Sequence, residues 1–107
     1  MNAVYSKHPD AEDVEVEGGW IIWHHRLKIV VMLQGMPGLV WRLIRRRKDH
    51  QEMVRQIGKD HRLQADCAEA MVASAIREFM QIGILMKVPF QTRSIIPSMS
   101  VPPEQTL

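Results

Sequence analysis

The 107-residue chain carries a formal net charge of +2, with 46% apolar and 24% charged residues, the balance of a folded globular protein and not of a disordered one. That length holds one domain with a modest core. Cys67 is the only cysteine, so no intrachain disulfide can form, and the longest apolar run, Ile29–Leu33, is far too short to cross a bilayer. The first residues are acidic and lack an apolar signal region, so a cytoplasmic protein with no membrane association is expected.

Residues 1–12 show neither a helix nor a strand period and are expected to form a loose arm. Val14–Glu17 alternates apolar and charged side chains, as a half-buried strand does, and Gly18-Gly19 suits a hairpin turn. Trp20–Trp23 is a second strand, rich in aromatic and β-branched residues. A turn at His25-Arg26 leads to a third strand, Lys28–Leu33, which completes a three-stranded antiparallel meander.

Gln34–Gly38 breaks the strand, and Pro37 suits the first turn of a helix. Leu39, Val40, Leu43 and Ile44 share one helical face, with Trp41 at its edge. Arg45-Arg46-Arg47-Lys48 closes that helix, where positive charge opposes the negative end of the dipole. A second helix over about 50–59 buries Met53, Val54 and Ile57. A third over about 67–82 buries Ala68, Val72, Ala75, Ile76 and Phe79 and stops at Gly83. Both open with an Asp-x-x-Glu capping signal, at Asp49–Glu52 and Asp66–Glu69. Residues 84–88 read as a short closing strand or wing. From residue 89 the chain is rich in Pro, Ser and Thr and has no apolar period, so a disordered tail is expected. The domain therefore spans residues 13–88. The fold class is α+β, a three-stranded antiparallel sheet followed by a three-helix, winged-helix-like bundle.

Charge is uneven along the chain: residues 1–25 sum to −4 and residues 26–62 to +7. A basic middle fits an anionic partner, although solvated surface cations are the commoner cause. Catalytic chemistry finds little support. Cys67 reads as an ordinary helical cysteine, and His24 and His25, adjacent in a strand, point to opposite faces. His8, His50 and His61 share no ligand spacing, so neither a metal nor any other cofactor is expected. The exposed face of the third helix offers Arg77 against Glu69 and Glu78, a poor surface for nucleic acid. A winged-helix DNA-binding regulator is therefore the alternative and not the preferred reading. Small or flexible flanks on the third helix (Ala70, Met71, Ala73, Ser74) and an unpaired third strand fit an extended peptide better.

With that order of elements the chain resembles the PqqD-like family, the recognition domains that bind leader peptides in pathways of ribosomally made, post-translationally modified peptides. The likeness runs without gaps from Leu33 to Leu85, about half the chain. Leu33-Gln34 and Val40-Trp41-Arg42-Leu43 match the family's Leu-Asn and Ile-Trp-x-Leu. Glu52–Ile57 matches its capped second helix, and Val72, Ile76, Phe79 and Gly83-Ile84-Leu85 match its third. Gln34, Arg46 and Met71 depart from the usual Asn, Gly and Asp. The resemblance implies a non-catalytic peptide chaperone that takes the leader of a precursor peptide as an extra strand. It would then present that leader to a modifying enzyme, such as a radical SAM protein, or to a leader protease. The strand would be Lys28, Ile29, Val30, Val31, Met32 and Leu33, and the cleft would draw on Met71, Ser74, Ala75 and Glu78. Lys28, Arg26 and Arg77 would steer an acidic leader. A homodimer through the same edge strand stays open as a further possibility.

Overall fold

Three short strands between residues 11 and 34 fold back twice on themselves and place one largely apolar face against the helices. The computed structural model describes residues 3–88, so the expected tail at 89–107 lies outside the described residues. The chain order is β1 (Val4–Lys7), β2 (Ala11–Val16), β3 (Gly19–His24), β4 (Ile29–Gln34), α1 (Gly35–Arg45), α2 (His50–His61), α3 (Ala65–Ile82) and β5 (Leu85–Val88). The fold is α+β, with an antiparallel sheet ordered β2-β3-β4 and a separate antiparallel pair, β1-β5.

The meander and three helices agree with expectation, with shifted ends. β2 begins at Ala11, three residues before the expected Val14, and Gly19 belongs to β3 and not to a turn. Lys28 falls outside the third strand of the meander, β4, because it adopts a left-handed φ of 58° in the turn before it. The largest correction concerns the arm. Residues 4–7 are a strand that pairs with β5 from Val4↔Val88 to Lys7↔Leu85. Four residues carry too little local pattern to announce a strand, and its partner lies at the other end of the domain. Burial of Tyr5 and the hydrogen bond from its phenol to His50 Nδ1 (3.0 Å) hold β1 in place.

α2 starts as expected: Asp49 accepts the Glu52 amide (2.8 Å) while Glu52 accepts the Asp49 amide (2.9 Å). The second capping signal is not used. α3 begins one residue before Asp66, with Gln64 as its cap and no side-chain cap bond, and Glu69 instead reaches His50 Nε2 (2.9 Å). The basic run also differs from expectation, since α1 ends at Arg45 and leaves Arg47 and Lys48 beyond its last turn.

Trp41 stands at the centre, fully buried. Its ring meets Phe79 of α3 edge-on, with centroids 5.3 Å apart and planes at 89°, and its Nε1 donates to Asp13 of β2 (2.9 Å). The same carboxylate accepts from Arg45 Nε (2.7 Å), so sheet and helices are joined by a satisfied polar link inside an apolar layer. Ala68, Val72, Ala75, Ile76 and Phe79 form the expected buried stripe of α3.

At Gly19 the sheet runs so close to the end of β4 that an added Cβ would collide with the Leu33 carbonyl oxygen. Gly19→Ala must therefore shift backbone, and a loss of about 2–4 kcal/mol is expected in urea unfolding, against under 1 kcal/mol had the position been open.

Candidate functional site

A strand paired on only one side leaves every second N–H and C=O pointing outward without a partner in its own sheet. β4 pairs with β3 alone, from His24↔Ile29 to Gly19↔Gln34, and among the described residues nothing pairs with its other side. Natural edges are blunted by charge, proline or bulges. β4 reads Ile-Val-Val-Met-Leu-Gln and has none of these.

Register and burial together assign its two faces. Leu33 is buried and Ile29 and Val31 half-buried on the helix side, in rows with His24, Ile22 and Trp20. Val30 and Met32 point the other way and are 72% and 61% exposed. They stand in rows with Trp23 and Ile21, and beyond those with Glu12 and Val14 of β2, so the outer face of the sheet is largely apolar. The opposite edge, β2, is different: Asp13 holds Arg45, Glu15 pairs with Arg42 (2.7 Å), and Glu12 pairs with His25 (2.8 Å).

Of the expected cleft residues on α3, Met71, Ser74 and Glu78 share one exposed face. Ala75 is 5% exposed and belongs to the core, so it cannot line a cleft. The resemblance implied a cleft role, whereas its position three residues after Val72 and four before Phe79 turns it inward. α3 packs on α1, α2 and β5, and its left-handed C-cap, Gly83, lies against Leu27 of the β3–β4 turn. Met71, Ser74 and Glu78 thus flank a helix whose C-terminal end reaches the start of β4.

Two side-chain clusters were not legible in the sequence. Tyr5, His50 and Glu69 form a hydrogen-bonded chain across β1, α2 and α3. Burial first, and then Glu69, push the Tyr5 phenol above its ordinary value, which disfavours its phenolate. The chain ties the three elements together. His8, Asp10 and His24 bring potential ligand atoms within 4.8 Å of one another, although the sequence separates them. Each already has work to do. His8 Nδ1 accepts the Asp10 amide (3.0 Å), His24 Nδ1 accepts the Leu27 amide (3.1 Å), and Asp10 holds Arg26 Nη2 (2.6 Å). A ring nitrogen that accepts an amide proton has no lone pair left for a metal, and the neutral ring then carries its proton on the other nitrogen. The cluster braces the turns that lead into β2 and β4. Arg26, expected to steer a leader, is engaged in that brace, while the Lys28 side chain forms no hydrogen bond or ion pair among the described residues.

No protein-family model, curated protein or solved structure matches this chain. No helix among the described residues is long and apolar enough to cross a membrane.

The Asp10–Arg26 brace has a pH signature. The Arg26 hydrogen bond, ahead of the opposing effect of burial and aided by the Arg26 charge, holds the Asp10 carboxyl below its ordinary 3.8. A depressed carboxyl contributes stability that is full above that value and lost as the pH falls below it. Asp10→Asn is expected to flatten the acid limb of stability below pH 3.8, as measured by urea midpoints across pH.

Proposed function

We propose that this chain is a PqqD-like recognition domain. In this reading a winged-helix-like bundle supports the sheet, and the leader of a precursor peptide binds as an added strand on β4. The bound leader is then presented to a modifying enzyme such as a radical SAM protein, or to a leader protease. The domain itself performs no chemistry and needs no cofactor.

The observation that carries this reading is the open, uncharged edge of β4. An incoming strand would gain main-chain hydrogen bonds there, and alternate side chains would extend the rows ending in Val30 and Met32. The acidic β2 edge is a poorer place for the same event, because its carboxylates are engaged with α1 and the β3–β4 turn. The sheet-then-helices order supports the family resemblance, and Met71, Ser74 and Glu78 would meet the side chains that turn inward. Lys28 would favour an acidic leader, a contribution that weakens with salt. The DNA-binding alternative gains nothing from α3, where Glu78 stands exposed beside Arg77 and Glu69 is bound to His50.

Titration of the isotope-labelled protein with the leader of a precursor encoded beside its gene should shift amides of residues 29–34 and the exposed face of α3. Absence of binding, or shifts confined to residues 46–48, would overturn the reading. Val30→Glu/Met32→Glu alters only exposed side chains and should leave the fold intact. It should weaken the leader about tenfold, since mismatched cross-strand neighbours cost roughly 0.2–1 kcal/mol each and 1.4 kcal/mol is tenfold.

A further inference from the structure

The second surface of interest is made of cations that the fold itself does not use. Asp10, Glu12, Asp13, Glu15 and Glu69 all take part in ion pairs, and their partners are Arg26, His25, Arg45, Arg42 and His50. Arg46, Arg47, Lys48, Arg55, Lys59 and Arg62 are all exposed and form no ion pair among the described residues. Arg55 and Lys59, at i and i+4, lie on the outer face of α2 opposite the buried Met53 and Ile57, and Arg62 follows as its C-cap. The α1–α2 loop folds Lys48 against them, so that Lys48, Glu52, Arg55, Gln56 and Lys59 line a shallow depression of about 300 Å³. Asp49, Glu52 and Asp60 offset part of this charge, and the six cations leave residues 46–62 with a net +3.

Helix dipoles do not account for this surplus. The last turn of α1 already holds Arg42 and Arg45, and that of α2 holds Lys59 and His61. Further cations past the cap gain little from a field that fades within one turn, and they repel those already present. Two of them also sit where glycine is the favoured residue. Arg47, just past α1, and Arg62, at the C-cap of α2, have left-handed φ values of 64° and 55°. Each therefore incurs backbone strain that glycine would not, and strain kept at an exposed charge points to a use for the charge.

We propose that this basic face of α2 and the α1–α2 loop is a docking surface for a folded protein that presents an acidic patch. The composition favours a protein over nucleic acid: Asp49, Glu52 and Asp60 are interspersed among the cations, and residues 46–62 hold no Phe, Tyr or Trp to stack on bases. On the neighbouring flank, Arg55 borders a second depression walled by Val54, Ala65, Asp66 and Glu69, where the acidic side chains mark the limit of the basic face. α2 packs on α1 and α3, so docking there leaves β4 open, and the proposal stands whether or not a peptide binds β4.

Poly-L-glutamate of about 20 residues serves as the acidic probe and a random DNA duplex of about 20 base pairs as the competitor, both at physiological ionic strength. Amides of residues 46–62 should shift with the polypeptide while those of β4 stay in place, and the duplex should bind at least about tenfold more weakly. Arg47→Gly/Arg62→Gly should leave Tm unchanged or higher, because strain is relieved, yet weaken the probe about tenfold, in line with two lost charge contacts. Unmoved amides in residues 46–62, wild-type affinity in the glycine variant, or loss of affinity only alongside a lowered Tm would each overturn the proposal. Equal or tighter duplex binding would overturn it too, by assigning the surface to nucleic acid.

Discussion

The hydrogen bond from Trp41 to Asp13 is the constraint on which the arrangement depends. An indole buried in the core needs an acceptor, and a carboxylate on the inner face of a sheet needs donors. One contact meets both needs, and Arg45 takes part of the remaining acceptor capacity one turn further along α1. Because the same ring stands edge-on to Phe79, the position of α3 relative to the sheet follows from the same residue. The orientation of the helical layer is thus set by a directional bond, while apolar burial supplies the bulk of the driving force.

That link also explains why the two sheet edges differ. β2 carries the carboxylates that reach α1, so its side chains are drawn into the body of the fold. β4 carries none and connects straight into α1 through Gln34. The polar groups that hold the sheet are thereby concentrated on one strand, and the opposite edge is left chemically plain. Backbone pairing then becomes the main chemistry β4 can offer.

Much of this was legible in the residues. The alternation of the meander, the apolar stripe of α3 and the capping box at Asp49 are local signals, and each produced the element it announced. What was hidden depended on distance along the chain. β1 is too short to show a period and exists because β5 is there to pair with it. Asp66–Glu69 has the spacing of a cap, but Glu69 finds a better-placed donor in His50, which a linear reading does not bring near. His8 and His24 looked unrelated until the β2–β3 pairing brought their rings to 4.8 Å. Ala75 was read as buried from its spacing and as a cleft residue from the family resemblance, and the spacing was the better guide. The basic run after α1 was attributed to the dipole, and only the helix boundary at Arg45 separates the cations the dipole uses from those it does not.

The β1–β5 ladder bears on how such a unit can be built into larger chains. Val4 and Val88 are direct partners, so the backbone enters and leaves the described region at neighbouring points on one rim. A unit with that geometry can be spliced into a surface loop of another protein without stretching its host, and it can be reopened elsewhere by joining its ends through a short bridge. The pairing that closes the fold therefore makes the domain portable, and its β4 edge and basic α2 face would travel with it as a fixed pair.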